Sequence, residues 1–153
     1  MKEDASASAE DRPLLDHVGI AVRSLESARI YEVMGLTVDH SETVESQGVK
    51  TAFLSVGDSS IELLEPLSDS SPVARFIDKR GEGIHHICFR VKNIEAHLER
   101  LEAEGYSLIN QTPVPGAHGC RVAFLHPRSA NGVLIELSEK INDETIDGEQ
   151  QGR

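Results

Sequence analysis

Tryptophan is absent from the 153 residues, and four Phe and two Tyr are the only aromatics. A core built from this chain is therefore aliphatic. Cysteine is nearly absent too: Cys88 and Cys120 are too few for a disulfide framework and have no CxxC spacing, which suits a reducing compartment. Basic residues are outnumbered, with 15 Lys and Arg against 26 Asp and Glu, for a net charge of −11. No basic cluster stands beside aromatics, which argues against nucleic acid or an anionic membrane as a partner. No apolar run nears the roughly 20 residues that span a bilayer. The N-terminus shows neither the apolar stretch of a signal peptide nor the Arg-rich composition of a transit peptide, so the expected location is the cytoplasm.

The charge is unevenly spread. Residues 1–13 carry −2 and residues 141–153 carry −3, which leaves −6 for the body. Both ends are short of apolar side chains that could offset the entropy of ordering, and both are expected to be disordered acidic tails. The body, 14–140, has the length of one domain.

Within that body the sequence repeats. LDHVGIAVRSLESARIYEVMGL matches IHHICFRVKNIEAHLERLEAEGY at an offset of 69, which sets His17 on His86, Val22 on Val91 and Leu25 on Ile94. TAFLSVGDSSIELLE matches VAFLHPRSANGVLIELSE in the same order, with Phe53 on Phe124 and Glu62 on Glu136. Each half begins with a period-2 strand, 16–22 or 85–91. Ser24 and Asn93 then stand where N-caps belong, before amphipathic helices that Gly35 and Gly105 end. Further strands are expected at 36–41, 49–56 and 60–65 in the first half, and at 106–111, 120–126 and 132–138 in the second. The connection, 66–82, predicts one short helix opened by Ser71-Pro72. The expected fold is α+β, with two βαβββ modules, 14–66 and 83–140, in one domain.

Side chains alternate across a strand. Val18, Ile20 and Val22 form an apolar face, and His17, Gly19 and Ala21 form the other. His86, Cys88 and Arg90 likewise oppose His85, Ile87, Phe89 and Val91, which makes His85 a packing residue in this reading. Glu62 and Glu136 each interrupt an apolar strand. A buried carboxylate is costly unless it is paired or bound to a metal. A twofold repeat would bring two His and two Glu into one cleft, a donor set suited to Co²⁺, Mn²⁺, Ni²⁺, Fe²⁺ or Zn²⁺ with positions left open.

LDHVGIAV at 15–22, SQGVKTAFL at 46–54, IELLEP at 61–66, GEGIHHICFRV at 81–91, GAHGCRVAFLHP at 116–127 and NGVLIEL at 131–137 resemble the vicinal oxygen chelate superfamily. Within it they are similar to the methylmalonyl-CoA epimerases. The resemblance implies paired βαβββ modules around a divalent metal, Co²⁺ foremost, held by His17, Glu62, His86 and Glu136. It implies an isomerase acting on an acyl-CoA, and a homodimer. The activity it implies is interconversion of (2R)- and (2S)-methylmalonyl-CoA, in propionate and branched-chain breakdown or in the reverse route, by loss and return of the α-proton through a metal-stabilised enolate. Glu136 would be one proton-transferring base. Some relatives place a second, a Glu, at the position of Thr51, where threonine cannot serve.

The second base is left open: Glu42 and Glu45 are the nearby carboxylates that could substitute and His118 of GAHG could lie at the cleft mouth, but each is expected to be a solvated turn or loop residue, and Cys88 a strand filler. Arg75, Lys79, Arg80 and Arg121 are expected at the surface, with Lys79 and Arg80 the best placed of them to meet phosphates. The rival functions are a glyoxalase-type lyase of the same superfamily and a metal-free, drug-sequestering binding protein.

Overall fold

Eight strands and three helices follow from the alternating and capped segments, in a computed structural model that describes residues 12–141. The two acidic tails expected from the sequence lie almost wholly outside those residues. In the first half β1 (Leu14–Ala21) leads through a 3₁₀ turn (Leu25–Ala28) into α1 (Arg29–Val33), then β2 (Val38–Val44), β3 (Val49–Val56) and β4 (Ser59–Pro66). After α2 (Pro72–Arg80) come β5 (Gly83–Arg90), α3 (Ile94–Ala103), β6 (Val114–Pro115), β7 (Arg121–Leu125) and β8 (Ile135–Glu139). The expected caps form. Ser24, Ser71 and Asn93 accept hydrogen bonds from Glu26, Val73 and Ala96 N–H, satisfying donors that would otherwise be orphaned.

One mixed sheet holds all eight strands, in the order β2-β3-β4-β1-β5-β8-β7-β6. That order is a palindrome of the two modules: β1 pairs parallel with β4, β5 pairs parallel with β8, and the antiparallel β1–β5 ladder joins the halves. Three aliphatic clusters fill it out. Ala28, Ala52, Leu54 and Leu63 pack with Leu25 and Tyr31 under the first helical segment. Ile94, Leu98, Ala123 and Leu137 pack under α3. Ala21, Val44, Val49 and Leu64 pack against Val73 and Ile77 of α2. Helices thus cover the outer face, and α2 closes one end of the inner face.

Three expectations change. The strand predicted at 106–111 is reduced to a single bridge, Leu108 to Leu125, and pairing resumes only at β6. The cause is local: the Asn110 side chain takes the Phe124 N–H, and Pro113 and Pro115 have no N–H to give. In addition, β8 starts at Ile135 rather than 132, because Asn131 and Gly132 turn with positive φ. The third change is in the β1–β5 ladder, where Asp16 and His85 are each skipped by the pairing. Each is the extra residue of a bulge, which re-aims its side chain. Among the described residues no helix is long and apolar enough to cross a membrane.

Candidate metal centre

Gly19 and His86 are partners in the β1–β5 ladder, as are His17 and Cys88. The parallel neighbours carry Glu62 beside Gly19 and Glu136 beside Cys88. These registers bring both imidazoles and both carboxylates to the middle of the inner face, where all four are buried. His17 Nε2 lies 2.7 Å from Glu62 Oε2 and 3.3 Å from Glu136 Oε2. His86 Nε2 lies 2.8 Å from Glu136 Oε2 and 3.3 Å from Glu62 Oε2. The two Nε2 atoms are 3.0 Å apart. Adjacent octahedral ligands at roughly 2.1 Å from an ion lie about 3.0 Å from one another by geometry. The observed 2.7–3.3 Å spacing brackets that value, so the donor set fits one divalent ion.

The electrostatics agree with the fit. Burial alone would lower both histidine pKa values, but hydrogen bonds to Asp16, Cys88 and the two Glu hold His17 well above its ordinary value, and Glu136 and Glu62 hold His86 up at about 9. Burial would raise the carboxylates, yet the two imidazoles outweigh it: Glu62 is lowered and Glu136 falls to about 2. Two imidazolium N–H groups directed into one 3.0 Å gap repel each other. A dication offers the same neutralisation with all four lone pairs directed at it.

Each bulge residue grips the histidine that follows it. His17 Nδ1 donates to Asp16 Oδ2 at 2.7 Å, which leaves Nε2 for a ligand bond, and Arg90 approaches Asp16 from behind at 3.9 Å. His85 Nδ1 meets His86 Nδ1 at 3.0 Å, and burial together with the neighbouring His86 pushes the His85 pKa down to about 4. A neutral His85 accepts from His86 in the way ligand histidines are usually oriented. The expectation that His85 packs in the core is thus corrected, since the bulge turns its ring to the cavity and onto Phe76. Phe53 and Phe124, the repeat-related aromatics, stand edge-on to His17 and His86 respectively.

The cavity, of about 90 Å³, is lined by the four polar residues, by Asp16 and His85, and by His118 of the 114–120 segment. Glu42 and His118 are not the unengaged turn and loop residues expected. Glu42 Oε1 accepts the His118 N–H at 2.6 Å and bonds His40 Nε2 at 2.9 Å. Glu45 takes no part in that network. Thr51 is fully buried and donates to the Glu42 carbonyl. Cys88, the ladder partner of His17, is fully buried, and burial pushes its thiol pKa up. Arg121, expected at the surface with the other basic residues, is engaged by Glu95 and Glu139. Arg75, Lys79 and Arg80 border a separate groove that His85 and His86 also line. The bulges and the Glu42–His118 bridge are not readable from alternation, because the bulges depend on strands paired across the two halves and the bridge on a contact between segments distant in sequence.

Residues 16–124 match the model of the Glyoxalase/Bleomycin resistance protein/Dioxygenase superfamily. The mitochondrial methylmalonyl-CoA epimerase of Dictyostelium discoideum is 45% identical over 129 residues, 82% of this chain and 78% of that one. The crystal structure of methylmalonyl-CoA epimerase from Mycobacterium tuberculosis superposes with a TM-score of 0.81 at 39% identity, covering 86% of this chain and 91% of that one. A Streptomyces coelicolor methylmalonyl-CoA epimerase variant in complex with 2-nitronate-propionyl-CoA gives 0.79 at 36% identity, covering 83% and 94%. The chain belongs to that superfamily and, within it, to the methylmalonyl-CoA epimerases, isomerases of the racemase/epimerase class.

Proposed function

We propose that the protein interconverts the (2R) and (2S) epimers of methylmalonyl-CoA with the help of one divalent metal ion, Co²⁺ foremost among Co²⁺, Mn²⁺, Ni²⁺, Fe²⁺ and Zn²⁺. The observation that carries this is the convergence of His17 Nε2, His86 Nε2, Glu62 Oε2 and Glu136 Oε2 beside a cavity, in a chain whose relatives bear that activity in their names. His17, Glu62, His86 and Glu136 would hold the ion. When bound, it would supply Lewis-acid polarisation of the thioester carbonyl, worth several kcal/mol of barrier.

The chain's own groups do the rest. Glu136 takes the α-proton on one face of the acyl group, and the C–H bonding pair moves into the thioester carbonyl. A proton returned to the other face completes the inversion, and a group poised to give and take a proton contributes typically about 10²- to 10⁴-fold. Asp16 and His85 keep the two imidazoles oriented. Phe53 and Phe124 flank the histidines with apolar rings and keep bulk water from the reacting carbon.

The reading extends to a single domain over 14–140 built from modules 14–66 and 83–140, flanked by tails 1–13 and 141–153. It also extends to a cytoplasmic homodimer serving propionate and branched-chain breakdown. The test follows the α-proton of each methylmalonyl-CoA epimer in deuterated water with metal supplied. Exchange and epimer interconversion are expected together; exchange no faster than without protein would overturn the assignment.

A further inference from the structure

An epimerase needs proton-transferring groups on both faces of the reacting carbon, and Glu136 supplies only one. Thr51 cannot be the other, since its hydroxyl is fully buried and committed to the Glu42 carbonyl at 3.3 Å. Directly across the ladder from Thr51, however, stands Glu42 of β2, whose carboxylate reaches out of the sheet and clamps the backbone of His118.

We infer that His118 is the second proton-transferring group, acting on the face of the α-carbon opposite Glu136; this rests on the epimerase reading above. Four observations carry it. His118 lines the same cavity as Glu136 and Glu62. It approaches from the other side: Glu136 is on β8, whereas the His118 ring stacks on His40 of β2 at 4.2 Å and meets Phe53 of β3 edge-on at 4.4 Å, beyond the β1–β5 ladder in the strand order. Its backbone is held in the left-handed region at φ 56, ψ 23, where a non-glycine residue is uncommon and persists only when its surroundings impose it. What imposes it is the Glu42 carboxylate on its N–H, aided by Ser46 Oγ donating to the Pro115 carbonyl at 2.8 Å. Burial and His40 also lower the pKa of the His118 ring, against the opposing pull of Glu42, Asp16 and Glu62, so the neutral imidazole is available to accept a proton.

The step balances without a co-reactant. A ring nitrogen of His118 takes the α-proton, and the C–H pair moves into the thioester as an enolate. Glu136, as its carboxylic acid, returns a proton to the opposite face, and exchange with solvent resets both groups. The reverse epimerisation uses the same groups in exchanged roles. His118 is at the cavity mouth and exposed, which allows that reset.

The test uses His118→Asn in the full chain, because Asn tolerates the left-handed backbone while removing the base, with His118→Gln alongside as a second variant. Each epimer is incubated separately in deuterated water with Co²⁺, reading deuterium at the α-carbon and inversion independently. Epimerisation is expected to fall by about 10²- to 10⁴-fold. Deuterium exchange without inversion is expected to survive with one epimer, the one deprotonated by Glu136, at least about 10-fold faster than with the other, and Thr51→Ala is expected to exchange both epimers as the parent does. Equal loss with both epimers would make His118 a positioning residue, and no loss would make it a bystander; either overturns the inference. If the parent protein exchanges neither epimer, the epimerase reading itself fails and the inference falls with it.

Discussion

Gly19→Ala isolates the geometric demand the metal centre makes on the sheet. The glycine is not required by its backbone, since Gly19 is not among the positive-φ residues. Space alone requires it: His86 is its ladder partner, and a Cβ built there would fall onto the imidazole, 2.7 Å from Nε2 and closer still to Nδ1 and Cε1. Since the nearest ring atom, Cε1, would lie 2.1 Å away, reaching an ordinary carbon contact of about 3.5 Å forces the ring to move by about 1.4 Å. Metal–ligand distances tolerate about 0.2 Å. His86 would thus be lost as a donor, and metal affinity is expected to fall by at least the roughly 10- to 100-fold seen when an orienting partner is removed. Overpacking adds a fold cost of about 1–3 kcal/mol, or about 3–10 °C in melting temperature for a domain of this size. Titration of the metal-stripped protein with Co²⁺ against a competing chelator reads the first quantity, and thermal melting reads the second. A variant that melts lower yet binds Co²⁺ as tightly as the parent would refute His86 as a ligand.

Glu136→Gln is expected to remove turnover and also to weaken metal binding, since it loses both a base and an anionic donor; measurable epimerisation at parental rates would sink its assignment. Asp16→Asn replaces the carboxylate that orients His17 with an amide, for an expected loss of about 10- to 100-fold in metal affinity with the fold retained, read by the same chelator competition. In the metal-free protein, the raised His86 pKa contributes stability that is complete below its ordinary 6.5 and is lost as pH rises through about 9. The lowered Glu136 pKa contributes stability that is complete above 4.5 and is lost as pH falls toward about 2. The melting temperature with chelator present is therefore expected to be highest between those two limits and to decline on both sides. With Co²⁺ added it is expected to keep rising toward neutral pH, because the ion displaces protons from the imidazoles. A flat metal-free profile from pH 6.5 to 9 would contradict the ion pairs.

Much of the centre was legible because a repeat makes weak signals reinforce one another. His17 and His86, Phe53 and Phe124, and Glu62 and Glu136 each occupy related places in the sheet, as the alignment of the two halves required. Ser24, Ser71 and Asn93 also cap as their side-chain chemistry dictates. Strict alternation failed at His85, because a bulge depends on how two strands distant in sequence pair, and period-2 reasoning within one strand contains no such information. Glu42 and His118 were likewise invisible as a pair, their contact being between modules. The segment 106–111 departs from a strand for a different reason: its apolar residues suit one, but Asn110 competes for the ladder with its side chain.

The placement of the four donors has a kinetic side. They sit on β4, β1, β5 and β8, the inner half of the strand order, while β2, β3, β7 and β6 lie outside them. Fraying therefore begins on strands that hold no donor, and opening the rim for a bulky acyl-CoA does not by itself free the ion. Pulling the donors apart requires parting the central ladder or stripping β4 or β8 from it, an opening much closer to global unfolding than to a loop fluctuation. Metal exchange should accordingly be slow relative to turnover, with protein loaded once remaining loaded over many catalytic cycles, even at the low free-metal concentrations of a chelating medium.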